Sequence, residues 1–242
     1  MTRRHLLGML TPSSNTVLEP VTSRILDPLY PRVTAHFSRF RVTEISLEEH
    51  ALAQFDHGPI LEASRLLADA RTDTIAWNGT SASWLGFDVD EELCRSITKE
   101  TGIPAATSVL ALNEALRERG ARHLGLVTPY LREVQERIMD NYRGIGIDCI
   151  AESHFQEQDN FSFAEFDEDF LAGRIRQVAE AGPDAIAILC TNLRGAGLAA
   201  SLEQEFGIPI LDSVSVVVWK SMKLAGLDPG LIRGWGSLFT DA

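Results

Sequence analysis

The residues with the most chemistry to offer stand in four short turns, each following an apolar run. They are Pro12-Ser13-Ser14-Asn15-Thr16, Gly79-Thr80-Ser81, Pro129-Tyr130 and Cys190-Thr191-Asn192. Together they supply hydroxyls, amides, a phenol and one thiol. No lysine or carboxylate joins them, and the nearest guanidinium, Arg194, reads as a solvated side chain. Such donors can hold a small carboxylate and stabilise negative charge that develops on it, and a thiol can transfer a proton. Cys190 is the candidate proton-transfer group. Thr80, Ser81 and Tyr130, with the backbone N–H groups of Ser81 and Thr191, are the candidate charge stabilisers. Asn15, with Ser14 and Asn192, is the candidate holder of a second carboxylate or other polar group, and Pro12 and Gly79 complete the substrate-binding turns.

Each of these residues also has a plainer reading. A free cysteine is most often a small buried hydrophobe, and that describes Cys94, in an amphipathic helix, and Cys149, in a strand. Cys190 differs by its place between a strand end and a helix start, where the thiol pKa is expected to fall below its reference of ~8.5. Thr80 and Ser81 could cap a helix, but a cap and an anion site share one geometry. Tyr130 could pack across a cleft, and His57 reads as a turn or capping residue. No metal site is legible. The cysteines lack zinc spacing, and His50 and His57, the nearest pair of histidines, lack the i, i+4 spacing of paired helix ligands. No cofactor is implied either. Gly195-Ala196-Gly197-Leu198-Ala199-Ala200 fits a dinucleotide pattern but starts too far beyond its strand. Gly79-Thr80-Ser81-Ala82-Ser83 falls one glycine short of a hydrolase elbow.

The elements that position these turns alternate. Strands are expected at Leu6–Leu10, Ala35–Val42, Thr74–Trp77, Ala105–Ala106, His123–Val127, Asp148–Glu152, Ala185–Leu189 and Ile210–Leu211. Helices are expected at Pro59–Ala70, Val89–Thr101, Val109–Arg119, Arg132–Arg143, Asp167–Ala181, Leu198–Phe206 and Val214–Ala225. Such alternation predicts parallel α/β units. The acidic, Phe-rich stretch Gln156–Glu168 reads as a loop, with a lid as its expected role.

An internal repeat organises the whole. Leu7-Gly8-Met9-Leu10-Thr11-Pro12 matches Leu124-Gly125-Leu126-Val127-Thr128-Pro129. Asp73-Thr74-Ile75-Ala76 matches Asp184-Ala185-Ile186-Ala187, and Gly102-Ile103-Pro104 matches Gly207-Ile208-Pro209. Three matches in the same order predict a duplicated unit, two similar lobes facing one another across a pseudo-two-fold axis. Ligands of open parallel sheets bind beyond the carboxyl ends of the strands. The four turns would then meet in one cleft.

Composition narrows the partners. The 242 residues include 22 basic and 34 acidic side chains, a formal charge of −12, which disfavours nucleic acid and anionic membrane. Apolar runs such as Val214–Trp219 fall far short of a membrane span, and Leu6–Leu10 is too short for a signal peptide's core, so the expected location is the cytoplasm. A small carboxylate or dicarboxylate is the expected partner, and a homo-oligomer is allowed.

With the repeat and the turns together, the chain resembles the Asp/Glu racemase superfamily, which includes amino-acid and hydantoin racemases, maleate cis-trans isomerases and arylmalonate decarboxylases. The resemblance runs through the whole chain to Gly234-Trp235-Gly236-Ser237-Leu238-Phe239. Pro12-Ser13-Ser14-Asn15-Thr16 is similar to the carboxylate-binding turn of the maleate isomerases. Gly79-Thr80-Ser81 with Tyr130 resembles the arylmalonate decarboxylase pattern. The fold class expected is α/β, two similar lobes each with a parallel sheet flanked by helices. One lobe would comprise residues 1–106 and 213–242, the other 107–212, with the active site between them. The racemases place a cysteine in each lobe, whereas the repeat sets Gly79 opposite Cys190; the decarboxylase branch shares that single thiol. The resemblance thus implies cofactor-independent decarboxylation through an enediolate, with protonation on one face by Cys190. The alternatives are a single-cysteine maleate isomerase or racemase-like isomerase, in which Cys190 adds to a double bond, and a non-catalytic small-acid binding protein. Gly79→Cys is expected to introduce racemisation unless the added side chain blocks the pocket.

Overall fold

Gly8 and Gly125, the glycines of the repeated Leu-Gly pairs, lie where a helix descends closely onto its strand. In the computed structural model, which describes residues 3–48 and 57–240, a β-carbon on Gly8 would come within 2.8 Å of the Thr74 carbonyl and 3.3 Å of Leu67. One on Gly125 would come within 2.5 Å of Val178. The repeated aspartates have one job as well. Asp73 accepts the Leu6 amide at 2.7 Å, and Asp184 accepts those of Arg122 and His123 at 2.8 Å, each tying down the start of the neighbouring strand. Gly102 and Gly207 end their helices in left-handed conformations, φ 71° and 70°, which a side chain would resist.

The strands are β1 (His5–Pro12), β2 (Val33–Phe40), β3 (Thr74–Trp77), β4 (Ala105–Thr107), β5 (His123–Thr128), β6 (Asp148–His154), β7 (Ala185–Ile188) and β8 (Ile210–Asp212). They form two parallel sheets of identical order, β2-β1-β3-β4 and β6-β5-β7-β8. The helices are α1 (Leu18–Leu26), α2 (His57–Asp69), α3 (Ala82–Leu85), α4 (Phe87–Thr101), α5 (Ser108–Glu118), α6 (Arg132–Gly144), α7 (Glu168–Ala179), α8 (Ala199–Phe206) and α9 (Ser213–Leu224). The fold is two four-stranded parallel sheets flanked by helices, the Asp/Glu racemase-like architecture.

Helices α5 and α9 follow the last strand of their sheets and pack on one another. Their N-termini touch, Ser108 Oγ donating to the Ser213 carbonyl at 3.0 Å. α9 also packs on α1 and β3, so the chain returns to the first sheet after finishing the second. Its run of valines is a poor helix former in isolation. Burial of Val214, Val216, Val217, Val218, Trp219 and Met222 outweighs that preference.

Several elements differ from the sequence reading. α1 and the short α3 are additional, and β2 stops at Phe40, leaving Val42 in a loop. The loop after β6 contains a 3₁₀ turn, Ser162–Glu165. His50 lies outside the described residues, and His57 opens α2.

Candidate active site

β1 and β3 end together in one sheet, β5 and β7 in the other, and the turns beyond them converge. Pro12, Gly79, Thr80, Ser81, Tyr130, Cys190 and Thr191 line one cavity. Val42, Ile45, Trp77, Trp84 and Asn160 complete its walls. The free space is about 20 Å³, enough for about one water. The hydroxyls and the thiol are its polar lining, and Trp77, Trp84, Val42 and Ile45 are its apolar lining.

On the polar side, Thr80 Oγ1 and Tyr130 Oη are 2.6 Å apart across the lobes. Edge-on contacts with Trp84 and Phe163, at 5.3 and 5.6 Å between ring centroids, hold the phenol in place. The amide N–H groups of Thr80, Ser81 and Thr191 donate to no other described group. Buried amides of that kind ask for an acceptor, and a carboxylate oxygen would answer.

The Cys190 thiol departs from expectation. Burial pushes it up to about 12, while hydrogen bonds from the Asn192 amide (3.4 Å) and the Tyr130 hydroxyl act in the opposite sense. The anticipated helix start is too distant to lower it, since α8 begins only at Ala199. Burial, with Cys190 beside it, likewise raises Tyr130 well above its ordinary value. Both groups hold their protons at neutral pH. Behind them Asp212 is fully buried, its carboxyl raised to about 7 by burial even though Oδ1 accepts the amides of Val214 and Ser215.

Ser14, Asn15 and Asn192 stand beside the lining rather than in it, and their polar groups bond to protein. Asn15 Oδ1 accepts the amides of Val17 and Leu18, capping α1, and its Nδ2 donates to Thr191 Oγ1 at 3.1 Å. Asn192 Oδ1 accepts Thr16 and Val17 amides, and Nδ2 donates to the Asn160 carbonyl. These two amides therefore stitch one lobe to the other. Ser14 donates to the Val42 carbonyl and accepts from Asn160 Nδ2. Arg194 donates to the Phe166 carbonyl, steadying the loop after β6.

That loop and the segment after β2 meet over the cavity. Ile45 N–H donates to the Gln158 carbonyl at 2.9 Å and Asn160 N–H to that of Thr43 at 3.0 Å, with Glu44 and Asp159 as antiparallel partners. Sequence reasoning passed over Trp77, Trp84, Val42, Ile45 and Asn160 as site residues. Trp77 carried the one usable signal, closing its strand two residues before Gly79. Cys94 and Cys149 are half-buried elsewhere, both thiols pushed up to about 12 chiefly by burial.

Comparison with known proteins agrees with this geometry. A family model described as arylmalonate decarboxylase (Amdase) matches residues 8–239. A maleate isomerase of Pseudomonas putida is 27% identical, with all of both chains covered. An arylmalonate decarboxylase of Bordetella bronchiseptica is 24% identical over 98% of this chain and 97% of that one. The crystal structure of the maleate isomerase Iso from Pseudomonas putida S16 with maleate, a cysteine-to-alanine variant, superposes with a TM-score of 0.88 at 25% identity, covering 99% of each chain.

Proposed function

The chain belongs to the arylmalonate decarboxylase family, and from that premise we propose that it decarboxylates a substituted malonate without a cofactor, Cys190 protonating one face of the product carbon. The retained carboxylate would lie against Thr80, Ser81, Tyr130 and the free amides of Thr80, Ser81 and Thr191. The departing carboxylate would face Trp77, Trp84, Val42 and Ile45. That wall solvates a carboxylate poorly and tolerates neutral CO2 well.

As the C–C bond to the departing carboxylate breaks, its electron pair passes into the retained carboxylate to give an enediolate. Preorganised donors among buried side chains would stabilise the new charge. Cys190 then gives its proton to the α-carbon, and water reprotonates the thiolate that remains. The observation that carries this reading is the thiol itself, buried beside Tyr130 and held protonated, with Gly79 at the matching place in the other lobe.

Maleate-type isomerisation is the second reading, favoured by the similarity to the Pseudomonas putida isomerase. It needs Cys190 as a thiolate nucleophile and polar anchors for a second carboxylate. Burial opposes the first, and the inter-lobe bonds of Asn15 and Asn192 occupy the groups expected for the second. Simple binding of a small acid is the third. A screen of malonates, maleate and acidic amino acids in D2O, following CO2 release and deuterium incorporation together, separates them. CO2 released with one deuterium per product supports decarboxylation. Fumarate from maleate without CO2 supports isomerisation, and binding without turnover supports the third.

A further inference from the structure

The geometry points to Trp77 as the residue that makes the cleft one-sided, its indole filling the space across from Cys190 where a second acid would otherwise project. This rests on the reading of Cys190 as the proton donor. Gly79 holds the first lobe's counterpart of the Cys190 position. The residue before each makes the equivalent backbone bond, Asn78 N–H to the Leu10 carbonyl at 3.2 Å and Leu189 N–H to that of Val127 at 2.9 Å.

A β-carbon on Gly79 would lie 1.9 Å from Trp77 Cζ2, 2.2 Å from Cε2 and 2.7 Å from Cη2. These are ring atoms, so no flexible chain end can swing aside to relieve the clash. The ring itself is confined, 1% exposed and packed on Phe40 with centroids 4.9 Å apart. In the second lobe the residue at Trp77's place is Ile188, which has no ring to reach forward over Cys190. Residue 79 is glycine because the indole needs its space.

Two consequences follow for the reaction. Protons reach the substrate carbon from the Cys190 side only, and an aromatic wall faces the other side. Gly79→Cys alone therefore does not install a second working thiol, which is the blocked-pocket exception anticipated for that substitution.

The test is a double-mutant cycle with two readouts. Gly79→Ala and Gly79→Cys are placed in the wild-type background and in Trp77→Ile, which copies the second lobe; Trp77→Phe serves if Trp77→Ile does not fold. In the wild-type background both substitutions should lower the melting temperature by roughly 4–10 °C through overpacking. In the smaller-residue background the same substitutions should lower it far less. The second readout is α-proton exchange and racemisation of an enantiopure 2-arylpropionate in D2O. Trp77→Ile/Gly79→Cys should exceed Gly79→Cys alone by roughly 10²-fold, the yield of a working acid–base group. A Gly79→Cys protein with unchanged melting temperature, racemising as fast as the double variant, would overturn the role of Trp77. Thermal coupling as expected, with no exchange in any variant although the wild type releases CO2 from a malonate, would overturn the one-sidedness assigned to Trp77; if the wild type releases no CO2 either, the proposed function falls and the steric assignment stands.

Discussion

Thr80 and Tyr130 belong to opposite lobes, yet their hydroxyls share a 2.6 Å hydrogen bond beside the only buried thiol among the described residues. Neither lobe lines the cavity alone. The duplication places each half, and the cleft brings the halves to bonding distance.

If this pair stabilises an enediolate, loss of either oxygen acts on the transition state. Thr80→Val and Tyr130→Phe should each lower kcat by roughly 10²–10³-fold with little change in KM. Steady-state kinetics on the best malonate decides it. A rise in KM alone would make the two residues substrate anchors.

The high thiol value sets a pH profile. With Cys190 pushed up to about 12 by burial, its proton-donating form persists far above neutrality. The kcat profile should therefore show no alkaline fall from the thiol between roughly pH 6 and 10. A rate climbing with pH as thiolate forms would favour a nucleophilic cysteine.

The cavity has room for about one water, and we expect a dicarboxylate to enter by parting the segments joined by the Ile45 to Gln158 bond. Glu44 and Asp159 are antiparallel partners there, with a typical Cα separation of ~4.5–5.5 Å that suits a disulfide. Glu44→Cys/Asp159→Cys should lose turnover on oxidation and regain it with reductant. Full activity with the disulfide verified by mass would show that entry lies elsewhere.

Asp212 makes a separate prediction about stability. Its carboxyl is raised to about 7 in the fold against 3.8 for the free group, and Oδ2 has no partner among the described residues. The folded state therefore binds the extra proton. Its stabilising contribution is full below about pH 4 and is lost as pH rises towards 7. Asp212→Asn keeps a side-chain oxygen for the α9 cap and should flatten that part of the profile. Urea midpoints at pH 5 and pH 8 for both proteins measure it, and identical slopes would contradict the assignment.

The fold was legible because the repeat records backbone necessities. Gly8 and Gly125 admit a helix, Asp73 and Asp184 hold strand starts, and Gly102 and Gly207 end helices, so each match marked equivalent places. Helix α1 was less visible, a nine-residue segment with Pro20 in its first turn, held by a cap from Asn15. At the site, the convergence of Cys190, Tyr130 and Thr80 could be read from the strand ends. The closeness of Trp77 to Gly79 could not, because it depends on where one indole turns. Nor could the engagement of Asn15 and Asn192, whose amides look the same in sequence whether they face a ligand or a neighbouring lobe. The thiol's raised value came from burial depth, and strand-end spacing alone carries no measure of that.

The central claim is that Cys190 delivers one proton to one face of a decarboxylated carbon. The most direct measurement is turnover of a prochiral malonate in D2O by the wild type and Cys190→Ala, following CO2 release, deuterium content and product handedness together. The expected result is one deuterium per CO2 and a product of one hand from the wild type, with turnover abolished in a Cys190→Ala protein that folds normally. Wild-type turnover by Cys190→Ala, or a racemic product from the wild type, would contradict it.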